Sequence, residues 1–299
     1  MPIYRLHIRP KGGTANTKTV FDYCLKNNFL GVGWRVTKEI GSMDWENYST
    51  IANSIFGKVN TVNFLRNRIK KDDLIWTRNH LGEYYLAKVK SEWSYFNSVE
   101  ANKEDIDIGN VVGVDFIKIP TDQVPGKVIA CFRPTRTLQT INSSQVDDYS
   151  KFLWNEKSKI NKYEALKTNI TGYFDFIDSE ELEDVIFIYL QMKNFLVVPN
   201  SRKGDTMSYE FFAINKESKD SFFIQVKSGM TRIDLSTYKD SSENFILFQP
   251  HDLYINREFE SDKISIIDSN TIKNFIEKNF IFLPKTIQKK IEIIKKTND

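Results

Sequence analysis

Cysteine is almost missing from this chain. Two of its 299 residues are cysteine, Cys24 and Cys131. They lie too far apart for a metal or redox spacing, which excludes a disulfide scaffold and leaves two reduced thiols. Histidine is equally scarce: His7, His80 and His251 are scattered, with no H-x-x-x-H pair and no Cys/His cluster. A zinc site is therefore not expected. Long apolar runs are absent too. The strongest, "VIFIYL", is far too short to span a bilayer. The opening "MPIYRLHIRP" is charged at once and has no apolar core, so no secretory signal and a cytoplasmic location are expected. Net charge is only +3, which permits a nucleic-acid partner without arguing for one. There is no internal repeat and no low-complexity tract.

What is present is the composition of a globular protein, 40% hydrophobic and 27% charged. The length suits two domains or one large one. Aromatics reach 13%, and Trp154 is the one tryptophan in the second half.

Residues 1–140 carry short strand signals: "IYRLHIR", "DLIWTR", "EYYLAKVKSEWSYF", "VVGVDFIKI" and "KVIACF". "TRNHLGEYY" predicts a hairpin with Gly82 in its turn. "TVFDYCLKNN" and "TVNFLRNRI" read as helices. The expectation is a small, bent sheet or barrel with helices on its flank. Residues 141–170 are polar with a few apolar anchors and read as a linker with connecting helices. From 171 to 299 the order becomes helix, then several strands, then closing helices. Asp178 or Ser179 can cap the first of these helices, with acids in its first turn. Apolar spacing at Ile272, Phe275 and Ile276, and at Ile287, Ile291 and Ile294, marks the closing pair, with the lysines of the last helix facing outward.

One stretch of the second half stands out. In "SFFIQVKSG", Gln225 and Lys227 share one face of an otherwise apolar strand. Glu210 lies on the preceding strand of the expected hairpin and can meet that face. A carboxylate, an amide oxygen and the Val226 carbonyl are hard oxygen donors of the kind Mg²⁺ accepts. Lys227 can orient a water and stabilise charge growing on phosphorus oxygens. This is equipment for phosphodiester hydrolysis. A Glu on the preceding helix can hold a second metal or its waters. The plain alternative is an edge strand whose Gln and Lys face solvent.

"LEDVIFIYL" with Glu183, "VVPNSRKGDTMSYEFF" with Glu210, and "FIQVKSG" with Gln225 and Lys227 together resemble the PD-(D/E)XK nuclease superfamily, in its Mrr-like Gln-x-Lys variant. The resemblance covers roughly residues 175–250. It implies a restriction-endonuclease-like mixed sheet flanked by helices. It also implies a catalytic set of Glu210, Gln225, Lys227 and Glu183, with Mg²⁺ or Mn²⁺ as cofactor. The family's first acid is usually Asp, and here it is Glu210. Asp205 lies close by and is the other candidate ligand.

In the first half, "FLGVGWRV", "KKDDLIWTRNHLGEYYLAKVKSEWSY", "DIGNVVGVDFIKI" and "DQVPGKV" resemble the EVE domains of the PUA-like superfamily, relatives of the YTH readers. That resemblance implies a bent PUA-like β-barrel and a pocket for a flipped, modified base. Stacking there is worth roughly 1–3 kcal/mol per base, against a few kcal/mol to extrude the base. Trp34 matches the first cage aromatic. Trp76, Trp93 and Tyr95 are the other base-binding candidates, and core packing is the competing role for all four. Lys11, Arg35, Arg78 and Lys88 are placed to meet phosphates. The joint expectation, for an α+β or α/β chain, is a modification-dependent endonuclease of an anti-phage system. It would act on duplex DNA, with a homodimer to cut both strands. The rival is a non-cleaving reader of modified DNA or RNA with a degraded nuclease-like half.

Overall fold

The computed structural model describes residues 2–134, 136–164, 172–198 and 209–298. The chain divides into two compact units, Met1–Val124 with Val128–Leu166, and Pro125–Lys127 with Lys167–Asp299.

The first unit opens with β1 (Ile3–Leu6), α1 (Thr17–Lys26), β2 (Phe29–Val32) and β3 (Gly41–Met43). Next come α2 (Trp45–Phe56), α3 (Asn60–Arg68), β4 (Leu74–Arg78) and β5 (Tyr84–Asn97). Then follow α4 (Val99–Lys103), β6 (Asn110–Ile119), α5 (Gly126–Cys131, in this unit from Val128 onward), β7 (Leu138–Ile141) and α6 (Ser144–Ser158). The helix starts are set by short polar side chains. Asn16, Asp44, Ser98 and Ser143 each accept a hydrogen bond from a backbone N–H of the first turn. The strands form one seven-stranded sheet, ordered β2-β6-β5-β4-β1-β7, with β3 on β5. β1 and β4 run parallel, and the other pairs are antiparallel. The path is open, with no closed barrel among the described residues.

The expected hairpin is present. Arg78 pairs with Tyr84, and Gly82 turns the chain at φ +79°, a conformation glycine adopts without a steric cost. Two expectations change. "KVIACF" is not a strand but the short helix α5, because Val128 and Phe132, four residues apart, are both buried as on one helical face. And α6, expected in the connecting segment, belongs to the first unit and buries Val146, Tyr149, Leu153 and Trp154.

The second unit contains α7 (Tyr173–Phe176), α8 (Ser179–Met192), β8 (Phe195–Val197), β9 (Phe211–Asn215) and β10 (Ser221–Val226). It continues with β11 (Ile233–Asp234), β12 (Asn244–Phe248), β13 (Tyr254–Ile255), β14 (Ile264–Ile267), α9 (Ser269–Lys278) and α10 (Lys285–Asn298). Its main sheet is mixed, ordered β14-β12-β10-β9-β8. β14, β12 and β10 run parallel, while β9 and β8 run antiparallel to their neighbours. Asp178 caps α8 by accepting from the N–H groups of Glu180 and Glu181, and the Glu181 carboxylate returns to the Asp178 N–H, a capping box. The apolar stripes of α9 and α10 are buried at Ile272, Phe275, Ile276, Ile287, Ile291 and Ile294. The lysines of α10 do not all face outward, however. Lys290 is fully buried, its Nζ 2.5 Å from Glu181 Oε2 and 3.6 Å from Asp178 Oδ2. Two acids at the start of α8 draw it inward.

Among the described residues, no helix is long and apolar enough to cross a membrane.

Candidate functional site

In the second unit, the β9–β10 hairpin brings Glu210, Gln225, Val226 and Lys227 together. Ile224 pairs with Phe211, and the Glu210 N–H donates to the Ile224 carbonyl at 2.8 Å, so Glu210 extends the ladder by one residue. Its side chain then lies beside that of Gln225. The Gln225 amide is buried and Nε2 donates to Glu210 Oε1 at 2.7 Å and to the Val226 carbonyl at 3.2 Å. Lys227 Nζ lies 3.5 Å from the same Glu210 oxygen. The Lys227 N–H donates to the Phe248 carbonyl at 3.0 Å, which ties the residue after β10 to the end of β12. Glu210 and Lys227 keep partial access to solvent, while Gln225 does not.

Glu210 and the Val226 carbonyl are hard oxygen donors of the kind a divalent cation accepts. The Gln225 amide, expected to add a third oxygen, instead presents its nitrogen to both of them and occupies the point where they converge. Only with that amide turned over would its oxygen join the other two toward a cation. Mg²⁺ commonly takes one or two carboxylates and completes its shell with water and substrate phosphate. Glu183 is half-buried on α8. Asp205 lies outside the described residues.

Two residues around this site were not singled out from sequence. Tyr238 is buried, and its hydroxyl is pushed up to about 12, first by burial and then by the Glu210 charge. It is a neutral phenol beside the acid. Gln249 follows β12 and is fully buried. Its Nε2 donates to the Gly229 and Thr231 carbonyls, at 2.8 and 3.2 Å, and its Oε1 accepts from the His251 and Leu253 N–H groups. It therefore holds the loop that follows Lys227. Its sequence signal is the same as that of Gln225, an amide at the end of an apolar run, "FILFQP".

In the first unit the candidate aromatics separate. Trp76 is fully buried, with Nε1 donating to Ser150 Oγ at 2.9 Å, and it is a core residue instead of a cage wall. Tyr95 is also in the core, its hydroxyl accepting from the Val36 N–H at 3.1 Å and its ring 5.1 Å from that of Tyr48. β5 is covered by α2 at this point, so the shared strand face of Trp93 and Tyr95 does not leave both rings open. Trp34 and Trp93 are half-buried. Asn110, fully buried, links them: Oδ1 accepts from Trp93 Nε1 at 3.1 Å, and Nδ2 donates to the Gly33 carbonyl at 2.7 Å and the Trp34 carbonyl at 3.5 Å.

The "GVGW" turn is tightly held. Asp107 accepts from three backbone N–H groups, Lys11 at 3.0 Å, Gly12 at 2.6 Å and Arg35 at 2.8 Å. A Cβ on Gly33 would lie 2.3 Å from the Lys11 nitrogen and 2.8 Å from Asp107 Oδ2, so this position requires glycine. Trp34 itself sits at φ +66°, left-handed backbone that a bulky residue rarely adopts.

Of the four expected phosphate contacts, Lys11 has an exposed side chain. Arg35 is committed elsewhere: it pairs with Asp105 at 2.5 Å and donates to the Ile106 carbonyl. Arg78 lies over the Phe132 ring at 5.0 Å and donates to the Phe132 carbonyl, and the Lys88 amine lies 5.5 Å from the Trp154 ring centre. A cleft of about 310 Å³ is lined by Trp45, Arg66, Asn67, Lys70, Glu92 and Trp93. Trp45 and Arg66 were not anticipated. Asp44 in "MDWENY", a good N-cap, was the available cue that Trp45 begins a helix.

No protein-family profile and no curated protein matches this chain. Among solved structures it has a weak likeness to the DNA modification-dependent restriction endonuclease AspBHI. The TM-score is 0.25 and the identity 10%, over 98% of this chain and 85% of that one.

Proposed function

We propose that the chain is a modification-dependent DNA endonuclease, with a PUA-like, EVE-type base reader in its first unit and a restriction-endonuclease-like nuclease in its second. The observation that carries this reading is the convergence of Glu210, Gln225, the Val226 carbonyl and Lys227 at one end of the β9–β10 hairpin. An acid and a lysine side by side, held by a buried amide, suit the hydrolysis of a phosphodiester. Glu210, the Val226 carbonyl and, once its amide turns over, the Gln225 oxygen would hold Mg²⁺, which when bound polarises a phosphate and acidifies a water. Lys227, partly exposed, offers its ammonium to the charge that builds on the phosphate oxygens. Gln225 keeps Glu210 turned toward that position. Duplex DNA with a modified base is the substrate, and two chains acting together account for cutting both strands.

The test is cleavage of matched duplexes, modified and plain, by the full chain with Mg²⁺ and with chelator. Cutting of modified duplex in Mg²⁺ alone is expected. Glu210→Gln and Lys227→Ala should bind the modified duplex yet leave it intact. Wild-type rates for Lys227→Ala would remove this site from the reaction. One observation favours a second reading, a non-cleaving reader of modified DNA or RNA. Glu210 is the one carboxylate in the hydrogen-bonded group at this site among the described residues. Binding without cleavage in the same assay would select it.

A further inference from the structure

The cleft between α2, α3 and β5 has a built geometry. Trp93 is fixed by its Nε1 hydrogen bond to buried Asn110. Trp45 is the first residue of α2, and its ring meets that of Trp93 at 85° with centres 5.2 Å apart. Tyr48 backs both rings, at 5.8 Å from Trp45 and 5.7 Å from Trp93. The two indoles therefore form a rigid corner, one ring standing on edge against the other. The remaining walls are polar: Arg66, Asn67, Lys70 and Glu92. The cleft, about 310 Å³, is in the size range of small-ligand sites.

Arg66 lies in that corner. Its guanidinium is 4.6 Å from the centre of the Trp45 ring, the place a stacked planar ligand would take. Its hydrogen bond goes to the neighbouring Asn67 Oδ1, at 3.0 Å, and it forms no ion pair with a carboxylate among the described residues. Glu92, the acid on the wall, pairs loosely with Lys70 at 3.9 Å, and both side chains are exposed. Arg68, Lys70 and Lys71 follow at the exposed end of α3. An aromatic corner with a cationic rim, and no acid paired with the innermost cation, matches a flat ring that carries a phosphate.

We propose that this cleft takes one unpaired nucleotide and that Arg66 is its gate. With the cleft empty, Arg66 covers the Trp45 face. When a base stacks on Trp45, Arg66 turns to the phosphate of that nucleotide, and Lys70 supports it from the rim. This rests on the reader half of the reading above and assigns it a different wall from the one that Trp34 marks.

The test uses the full chain in chelator, so that no cutting intervenes. The probe is a duplex with one unpaired nucleotide, compared with its fully paired and single-stranded counterparts across a salt series. Tighter binding of the unpaired nucleotide than of the paired duplex is expected. Trp45→Ala should weaken it tenfold or more, as loss of one stacking partner does. Arg66→Ala should weaken it and make the salt dependence shallower by about one phosphate contact, a slope change of roughly 0.7–0.9. Arg66→Lys should keep the slope. All three variants are melted beside wild type, and Trp45→Ala and Arg66→Ala decide the outcome. Arg66 is at the surface, so its arm stands even if Trp45→Ala unfolds. Wild-type affinity and slope in both variants would overturn the gate and leave the reader reading intact. A wild-type chain that binds none of the three probes would overturn both. Binding as described here, with no cutting in the separate Mg²⁺ cleavage assay, would fault the nuclease half alone.

Discussion

Glu181 Oε2 and Lys290 Nζ form an ion pair from which solvent is excluded on both sides. It joins the capping box of α8 to the middle of α10. Asp178 completes the group, and Asp178 Oδ2 and Glu181 Oε1 make no hydrogen bond. Buried carboxylate oxygens without partners are costly, so the lysine is essential to these two acids.

Burial raises the Glu181 carboxyl from its usual 4.5 to about 7, against the lowering pull of Lys290. The folded chain therefore holds this proton more tightly than the unfolded chain. The stability this supplies is full below about 4.5 and is lost as pH rises through 7. Lys290→Met should cost about 3–5 kcal/mol at pH 8, the usual result of stripping one partner from a buried pair. At pH 5, Glu181 can take a proton and the loss should be smaller. Urea unfolding at the two pH values measures this. Equal losses would mean that Glu181 does not titrate in this range.

The Gln225 bridge separates two roles of one side chain. Gln225→Ala removes the N–H that aligns Glu210 and should lower the cleavage rate by about 10²–10³. Gln225→Glu sets a second carboxylate beside Glu210, and two acids in contact repel. Its melting temperature should fall in chelator and recover when Mg²⁺ is added, as ligand linkage requires. A melt of Gln225→Glu that ignores Mg²⁺ would count against a metal at this position.

Trp76 and Trp34 should respond differently to truncation. Trp76→Ala opens a cavity in the core and should cost about 3–5 kcal/mol. Trp34→Ala should melt closer to wild type while discrimination between modified and plain DNA falls about tenfold. Trp34→Gly should melt above Trp34→Ala by about 1 kcal/mol, because glycine carries no penalty in the left-handed region. Thermal melts of the three variants settle the ranking.

His7 offers a pH effect of opposite sign. Burial, then the charges of Arg9, Arg78 and Arg5, depress its imidazole from 6.5 to about 4. The folded chain binds this proton less well than the unfolded one. The stabilisation is present above pH 6.5 and is lost as pH falls toward 4. His7→Gln should flatten the decline of the melting temperature across that window. Comparing the two slopes cancels the contribution of Glu181, which both chains share. Identical slopes would mean that the folded and unfolded chains bind the His7 proton equally well.

Period and punctuation made much of this fold legible before any coordinates. The β4–β5 hairpin was marked by Gly82 and flanking strand residues, and α8 by Asp178 with two acids behind it. Both are local effects that neighbouring residues decide. The meeting of Glu210 with Gln225 was legible because a hairpin fixes register across a short span. Longer-range facts were not. Whether Trp76 is core or cage depends on α6, whose Ser150 lies 74 positions away. Arg35 looked available until Asp105, 70 positions on, claimed it. Lys290 sits on an apolar helix face that sequence reads as a solvated lysine pattern, and only the acids of α8 explain why it turns inward. The helical form of "KVIACF" was hidden because Val and Ile favour strands, whereas packing of Val128 and Phe132 decides the outcome.

Asp107 has a consequence for genetics. It holds the Lys11–Gly12 backbone that abuts Gly33 and the Arg35 N–H two residues after it, and so sets where the intervening tryptophan points. A screen for chains that no longer recognise their target would return Asp107 and Gly33 alongside the residues that meet the ligand. Ranked by phenotype alone, these two would pass for contact residues. Their signature is that no change of ligand rescues them, since what they specify is the shape of the polypeptide and not a contact with a ligand.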